Sequence, residues 1–402
     1  MRARAHLFGA LLLLSAVAGD VASAQSQAPS PAVIAMRREW LNPAINSFTF
    51  RDNARIFDTR LVKRSGAVWQ LPRASGFVMP TIEIDGKPFD YDVFAEHSFT
   101  NAFLVIRDGK ILFESYRNRS DASTRFISFS MAKSITSMLM GIAVQKGMIK
   151  SIDDPVTAYI PELKGGGYDG VSLRHILQMR SGVDYEERYD FGANPSPAAV
   201  NHENAIVQNK VRFADSARTI GKKWTPGERF NYATIDTAVL GWTIERATKQ
   251  PLATFMQANL WGPLGAESDG YWIADGPDGV GRELSGMGYN ATLRDFGRLG
   301  MMMLNGGKRG SKQIVPASWM TQATTMLPIG SSGRGRQGYG LQFWQVDNEP
   351  GAFAAIGLAG QFIYVHPATR TVIVKLSYYP PVEPATVSAE TVRYFKAITQ
   401  QR

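Results

Sequence analysis

No cysteine occurs in the sequence, and this absence excludes several kinds of protein and site. A disulfide framework, a cysteine-ligated metal, a cysteine nucleophile and a lipid anchor attached to cysteine are all ruled out. Histidine is nearly as scarce, with 5 among 402 residues. The histidines are scattered, and none has the His-x-His or His-Glu-x-x-His spacing of a hydrolytic zinc site. We therefore expect neither a metal nor a cofactor.

Beyond the N-terminus, the sequence has no apolar run of membrane length. At the N-terminus, Arg2 and Arg4 precede an apolar run at 7–18, and the small residues Ala22-Ser23-Ala24 follow it. This order is typical of a cleavable signal peptide, and the run is too short for a spanning helix. We predict that residues 1–24 are a signal peptide cut before Gln25. The protein is then periplasmic or secreted, without stable membrane insertion.

The chain also lacks a concentrated block of positive charge, although its formal net charge is +9. Basic residues are spread along the sequence without interleaved aromatic residues, so we expect no nucleic-acid partner. A Gly-x-Gly-x-x-Gly pattern at 333–338 leads into a predicted strand instead of into a helix, which indicates a loop and not a dinucleotide site. No serine is flanked by glycines two places away on both sides, so the nucleophile elbow of α/β-hydrolases is missing. No feature of the sequence specifies an oligomer.

The most informative stretch is Ser130-Met131-Ala132-Lys133, where a lysine lies three residues after a serine. Apolar side chains recur with a helical period over 131–142, and Gly147 follows as a stop signal, which predicts an α-helix. Positions i and i+3 share a helix face, so the Lys133 amine can reach the Ser130 hydroxyl and remove its proton. Ser130 would also lie at the positive end of the helix dipole, which favours a developing oxyanion.

The same residues allow an ordinary structural interpretation. Ser128 or Ser130 could serve only as the N-cap of the helix, and Lys133 could be only a solvated residue of its first turn. The tetrapeptide alone does not separate a nucleophile from a cap, so the rest of the sequence has to be considered.

The order of predicted elements indicates the fold class. Residues 25–100 are interpreted as a tether followed by an irregular N-terminal extension, and 101–402 as the main domain. A hairpin around Asp108-Gly109 precedes the Ser130 helix, a mostly helical stretch runs from about 140 to 304, and strands at 340–346, 361–365 and 371–377 precede a closing helix at 387–399. Early and late strands must then meet in one sheet. We predict an α+β fold, with an antiparallel sheet flanked by helices, a mainly helical subdomain, and Ser130 in a cleft between them.

Two further stretches could contribute to a site in that cleft. Tyr232 follows a Pro-Gly turn just before an apolar helix, where a phenol could transfer protons, although a tyrosine in such a place is more often an ordinary half-buried structural residue. Gly357-Leu358-Ala359-Gly360-Gln361 opens a strand, and its glycines would let a backbone N–H approach a substrate. A turn or β-bulge without function is the alternative there.

Taken in order, Ser-x-x-Lys, a tyrosine at the head of a helix and a glycine-bearing strand near the C-terminus resemble the serine β-lactamase and penicillin-binding fold, in its class C and esterase-like branch. The chain looks most similar to the 6-aminohexanoate-dimer (nylon oligomer) hydrolases. The similarity runs from about 101 to 377. Supporting stretches are Asp153-Asp154-Pro155-Val156, Tyr159-Ile160-Pro161-Glu162-Leu163, Asp184-Tyr185-Glu186-Glu187-Arg188-Tyr189, Val239-Leu240-Gly241-Trp242-Thr243-Ile244-Glu245-Arg246 and Gly360-Gln361.

The resemblance implies a serine hydrolase that cleaves a small-molecule amide or ester through an acyl-enzyme. Ser130 would be the nucleophile, Lys133 its base, kept neutral by burial and neighbouring positive charge, and Tyr232 the group that passes the proton to the leaving group. The backbone N–H groups of Ser130 and Leu358 would form the oxyanion hole. The resemblance further places four residues in substrate binding, namely Tyr189, Thr234, Gly357 and Gly360. Glu186 and Glu187 are interpreted as solvated neighbours and not as a catalytic pair.

Two departures from the family pattern bear on the substrate. Thr234 stands where β-lactamases and transpeptidases carry asparagine, and Ala355-Ile356-Gly357 replaces Lys-Thr-Gly. The cation and hydroxyl that hold a substrate carboxylate are therefore missing at these positions, which disfavours penicillins and D-Ala-D-Ala termini. An esterase or a D-amino-acid peptidase of the same fold is the alternative enzyme. A catalytically silent penicillin-binding-like sensor is the alternative outside enzymes.

Overall fold

The structure is a computed structural model that describes residues 28–188, 192–330, 337–346 and 349–401. Its strands are, in chain order, β1 Asp58–Val62, β2 Ile82–Ile84, β3 Lys87–Phe89, β4 Thr100–Arg107, β5 Lys110–Tyr116, β6 Arg125–Ile127, β7 Gly270–Ala274, β8 Tyr289–Thr292, β9 Lys308–Arg309, β10 Lys312–Gln313, β11 Leu327–Pro328, β12 Gly338–Tyr339, β13 Trp344–Gln345, β14 Phe353–Gly357, β15 Gln361–His366 and β16 Thr371–Ser377. Its α-helices are α1 Pro31–Arg38, α2 Asn46–Thr49, α3 Asn53–Ile56, α4 Tyr91–His97, α5 Met131–Gln145, α6 Leu173–Leu177, α7 Pro197–Asn201, α8 Thr234–Thr248, α9 Leu252–Met256, α10 Gly262–Leu264, α11 Leu293–Leu304, α12 Ala317–Ala323 and α13 Val387–Gln400.

The main sheet joins the early and late parts of the chain. It is antiparallel, with strand order β11-β12-β13-β14-β15-β16-β4-β5. Strand β16 pairs with β4 from Thr371 opposite Arg107 onwards. The predicted fold class is confirmed, because the early strands β4 and β5 and the late strands β11–β16 form one antiparallel sheet flanked by helices. The predicted hairpin is β4-β5, and its turn residues Asp108 and Gly109 have φ values of 48° and 78°, as a tight two-residue turn requires.

Both faces of the main sheet are covered, which is why β4 has almost no polar alternation. Leu104 and Ile106 belong to the core cluster that contains α5 and α11, whereas Phe103 and Val105 belong to a second cluster with α13. Helix α11 lies close to the sheet at Gly300, where an added Cβ would come within 2.5 Å of Val372. The sheet therefore separates two apolar layers, and α5 is fixed in the larger one.

A second sheet was not predicted from the sequence. It has the order β1-β7-β8-β6 and takes its strands from the N-terminal extension, the segment before α5 and the stretch 270–292. Strand β1 pairs with β7 over Asp58 to Val62, so the extension is not irregular but completes this sheet. The partners are about two hundred residues apart in sequence, and no local pattern reveals such a pairing.

The strand predicted at 340–346 is wrong in its first half. Only Trp344–Gln345 is a strand there, and Gly340 to Phe343 form a turn in which Gln342 has φ 69°. The Gln342 side chain is buried and accepts a hydrogen bond from Thr237, which accounts for a turn inside an apolar stretch. In the described ranges, no helix is both long enough and apolar enough to cross a membrane.

Candidate active site

Ser130 lies immediately before α5, where the chain leaves a strained turn. The preceding residue, Phe129, has φ 41°, which is unusual for an aromatic residue, and the rings of Trp40 and Phe50 pack against it at centroid distances of 5.3 and 4.8 Å. The Ser130 side chain makes no capping hydrogen bond to the helix. The interpretation of Ser130 as an ordinary N-cap side chain is therefore wrong.

Lys133 is buried, with 1% of its surface exposed, so it is not a solvated residue of the first turn. Its Nζ donates to Ser130 Oγ, to Thr234 Oγ1 and to the Gly286 carbonyl oxygen, each at 2.9 Å. The amine also lies 4.9 Å from the centroid of the Tyr232 ring. The i, i+3 spacing thus brings serine and lysine together as the helix geometry requires.

Glu187 is a site residue that the sequence interpretation missed. Its Oε1 accepts a hydrogen bond of 2.5 Å from the Thr234 hydroxyl, and its Oε2 accepts one of 2.7 Å from the Thr234 backbone N–H at the start of α8. Hydrogen bonds therefore run from Ser130 through Lys133 and Thr234 to a carboxylate. The charge nearest to Lys133 along these bonds is an anion, whereas a neighbouring cation had been expected.

Glu186 and Glu187 differ although they are adjacent. Glu186 is exposed and pairs with Arg188 at 3.0 Å, as a solvated residue would, while Glu187 is half-buried against α8. Glu187 lies in a loop and Thr234 is the first residue of α8, 47 positions further on, so no spacing rule joins them. The one available signal was the position of Thr234 at a helix start, where an N-terminal carboxylate is favoured.

Tyr232 lies beside Ser130 and Lys133, half-buried, in the segment leading into α8. Its ring packs against Trp344 and Tyr339 at centroid distances of 5.4 and 6.2 Å. The ring is therefore held in the aromatic wall of the cleft, and its hydroxyl makes no hydrogen bond within the described residues. The phenol remains open to a molecule in the cleft.

The turn at 357–360 forms the opposite edge of the site. A Cβ on Gly357 would lie 2.3 Å from the Ser128 carbonyl oxygen, so only glycine lets this strand end approach the nucleophile turn. Leu358 is 43% exposed and faces the cavity. Within the described ranges, neither the Ser130 nor the Leu358 backbone N–H donates a hydrogen bond to a protein acceptor. Two backbone donors are thus free beside the Ser130 hydroxyl.

These groups surround a cavity of about 1520 Å³. Its wall includes Ser130, Glu187, Tyr232, Gly357, Leu358 and Gly360, the aromatic residues Phe230, Trp344 and Phe362, and residues 37–43 of the N-terminal extension. Lys133 and Thr234 are buried behind this wall. Tyr189, the remaining predicted substrate-binding residue, lies outside the described residues.

Strand β14 shows what replaces the family's Lys-Thr pair. Side chains alternate along a strand, and Ile356 faces the cavity whereas Ala355 is fully buried in the core. The wall is therefore apolar at the position where the family pattern has a hydroxyl, and the position of the family's lysine is filled by a methyl group.

Two buried titratable side chains lie near these elements. Burial raises the pKa of Asp236, on α8, to about 7, and the Tyr168 hydroxyl donates to this carboxyl at 2.6 Å. Burial lowers the pKa of His202 to about 4, and its ring stacks on Trp40 at 6.5 Å. At neutral pH the imidazole of His202 is therefore uncharged.

Comparisons with known proteins agree with this arrangement. Residues 95–393 match the model of the Beta-lactamase family. The 6-aminohexanoate-dimer hydrolase of Paenarthrobacter ureafaciens is 32% identical over 305 residues, which cover 71% of this chain and 74% of that protein. Esterase EstB of Burkholderia gladioli is 27% identical over 189 residues, 43% of this chain and 47% of that protein.

Solved structures show the same fold. A Bacillus anthracis structure described as a candidate 6-aminohexanoate-dimer hydrolase superposes with a TM-score of 0.81 at 23% identity, covering 92% of this chain and 97% of that one. The family match spans most of the chain and includes Ser130, Lys133, Tyr232 and the turn at 357–360. The chain therefore belongs to the Beta-lactamase family.

Proposed function

We propose that this hydrolase of the Beta-lactamase family is exported and cleaves a small amide or ester through an acyl-enzyme on Ser130. The observation that carries the proposal is the hydrogen bond of 2.9 Å between Lys133 Nζ and Ser130 Oγ at the wall of the cavity. A nucleophile and its base within hydrogen-bond reach, next to free backbone donors, are the parts that acyl transfer needs.

In the first half-reaction, Lys133 Nζ acts as the base and accepts the Ser130 proton while Oγ forms a bond to the substrate carbonyl carbon. The carbonyl oxygen becomes an oxyanion and takes hydrogen bonds from the Ser130 and Leu358 N–H groups. The proton then passes by way of the Tyr232 hydroxyl to the leaving nitrogen or oxygen, and the bond to that atom breaks. The products are a free amine or alcohol and the acyl ester of Ser130.

In the second half-reaction, water replaces the leaving group. Tyr232 and Lys133 remove a proton from the water as it attacks the acyl ester, and the same proton returns to Ser130 Oγ when the ester bond breaks. The acid is released and the starting state is restored. Thr234, with Glu187 behind it, keeps Lys133 aimed at Ser130 throughout, because it holds one of the three hydrogen bonds of the amine.

The test uses the mature protein with a fluorophosphonate and intact-mass spectrometry. We expect one adduct per wild-type chain, none on Ser130→Ala, and a loss of turnover by orders of magnitude in Lys133→Ala with the fold retained. In Tyr232→Phe the ring packing is unchanged, so a large fall in turnover without a change in melting temperature would identify proton transfer. Labelling of Ser130→Ala at the wild-type rate would place the nucleophile elsewhere, and an unlabelled wild type would favour the silent sensor.

An esterase is the second candidate, and the apolar part of the cavity wall beside β14 favours it, while Arg37, Arg38 and Arg188 line other parts of the cavity. Ile356, Phe230 and Trp344 offer contacts to an uncharged acyl or alkyl group on this part of the wall. Parallel turnover of p-nitrophenyl butyrate, a linear 6-aminohexanoate amide, a D-alanyl amide and a chromogenic cephalosporin distinguishes the alternatives. The substrate with the highest kcat/KM identifies the class.

A further inference from the structure

The side chain of Gln361, the first residue of β15, makes hydrogen bonds to two carbonyl groups of the turn at 357–360 and to the backbone of Ser377. It is 1% exposed. Its Nε2, with two N–H groups, lies within hydrogen-bond distance of three carbonyl oxygens, those of Leu358, Ala359 and Ser377 at 3.2, 3.1 and 2.8 Å, so one N–H is shared between two of them. Its Oε1 accepts from the Ser377 N–H at 3.1 Å. One buried amide thus ties the turn to the end of β16.

This turn needs such support because its backbone is strained. Ala359 has φ 58° and Gly360 has φ 82°, so two successive residues are in the left-handed region, and one of them carries a Cβ. Tyr379 adds a second restraint, since its N–H donates to the Ala359 carbonyl at 3.2 Å and its ring lies against Gly360. Without these contacts the peptide planes of the turn would be free to rotate.

The Leu358 N–H belongs to the peptide unit that joins Gly357 to Leu358. This unit comes directly before the Leu358 and Ala359 carbonyl groups, which accept hydrogen bonds from Gln361. On one side of that unit Gly357 is paired with Gln361 in the sheet, and on the other side the Leu358 and Ala359 carbonyls are held by the Gln361 amide. Both flanks of the unit are therefore fixed by the same residue. This leaves the Leu358 N–H unpaired at the cavity wall, where a substrate can accept it.

We propose that Gln361 is a positioning residue of the oxyanion hole, which holds the turn so that the Leu358 N–H stays directed into the cleft. The inference rests on the proposed acyl-enzyme function. It predicts that loss of the Gln361 amide slows the chemical step more than substrate binding, because an oxyanion forms only in the transition state.

Gln361→Met removes the amide and keeps the length of the side chain. Removal of an oxyanion-hole donor lowers kcat by about 100- to 1000-fold, so its displacement should lower kcat by about 10- to 100-fold. We expect KM for p-nitrophenyl butyrate to change by less than about threefold. Fluorophosphonate labelling of Ser130 should slow in proportion to kcat, since the phosphonyl oxygen occupies the same hole.

Gln342→Met is the matched control. Gln342 is also a 1% exposed glutamine whose amide donates to a carbonyl, that of Leu177 at 2.8 Å, and accepts from Thr237 at 2.7 Å, but it does not contact the turn at 357–360. Both variants should lose thermal stability by a similar amount, while only Gln361→Met loses kcat. Equal kcat in the two variants would overturn the inference.

Two further outcomes are informative. If Gln361→Met gives no folded protein, Gln361→Asn retains the amide with a shorter reach, and a fall in kcat at an unchanged KM supports the inference while wild-type kcat overturns it. If the wild type is not labelled at Ser130, the proposed function fails together with the inference. A labelled wild type with an unaffected Gln361→Met contradicts only the positioning role.

Discussion

At the scale of residues, the candidate site depends on how Lys133 is surrounded. Three oxygen atoms accept its hydrogen bonds, and one of them, Thr234 Oγ1, connects it to the Glu187 carboxylate. A hydroxyl between an amine and a carboxylate can accept from the first and donate to the second, so Thr234 fills the place of the family's asparagine with fewer atoms.

Thr234→Val tests this arrangement. Valine has the shape of threonine without the hydroxyl, so Lys133 loses one acceptor and Glu187 loses one donor inside the protein. We expect kcat to fall by about tenfold or more, because the amine is no longer held toward Ser130. Thr234→Ser keeps the hydroxyl and should stay within a few-fold of the wild type in steady-state ester hydrolysis. Wild-type turnover by the valine variant would contradict the role of the Thr234 hydroxyl.

Asp236 and His202 should influence stability in opposite directions over nearly the same pH range. The folded-state pKa of Asp236 is raised to about 7, so the folded protein binds more protons than the unfolded chain between about pH 4 and 7, and this group makes stability fall as pH rises. His202 has a folded-state pKa lowered to about 4, so the unfolded chain binds more protons there and stability rises with pH up to about 6.5. In the wild type, the opposite contributions of Asp236 and His202 to the pH dependence of stability therefore partly cancel.

Asp236→Asn removes the contribution of Asp236 to the pH dependence of the free energy of unfolding. The side chain can still accept from Tyr168 but no longer titrates. Urea unfolding at pH 4.5, 5.5 and 6.5 should show the free energy of unfolding of the variant rising with pH relative to the wild type, by up to about 1.4 kcal/mol per pH unit. A difference between variant and wild type that stays constant with pH would show that Asp236 does not titrate in this range.

At the scale of elements, the alternation of β14 decides which residue can change substrate choice. Ile356→Thr places a hydroxyl on the cavity wall, and we expect it to improve turnover of a carboxylate-bearing cephalosporin relative to the uncharged ester. Ala355→Lys, the substitution that copies the family sequence, puts an ammonium group into the core and should lower the melting temperature sharply. Chromogenic cephalosporin and p-nitrophenyl ester assays, with thermal melts, check both variants. Improved cephalosporin turnover by a stable Ala355→Lys protein would contradict the assignment of the two faces.

Elements were predictable where the pattern that defines them is local. Helix α5 has the boundaries that the apolar spacing and Gly147 indicated, and the β4-β5 hairpin is specified by two residues. The second sheet was not predictable, because β1 and β7 meet only when distant segments pack. The same distinction holds inside the site, where Ser130 and Lys133 follow from helix geometry and Glu187 follows from the meeting of two segments.

At the scale of the whole molecule, the N-terminal sequence makes a separate prediction about location. The basic start, the short apolar run and Ala22-Ser23-Ala24 indicate cleavage before Gln25. N-terminal sequencing of protein recovered from a periplasmic extract should therefore begin at Gln25 or very close to it. Soluble cytosolic protein that still begins with Met1 would contradict export, and an Ala24→Leu variant should accumulate uncleaved.

The pairing of β16 with β4 has a consequence for the order in which activity appears. The nucleophile helix is made more than two hundred residues before β15 and β16, yet the turn at 357–360 and the strands that support α5 come from that late segment. Contacts of such long sequence separation form slowly and late in folding. A growing chain is thus expected to carry Ser130 and Lys133 without a completed cleft, and to become active only when the last strands have closed the sheet.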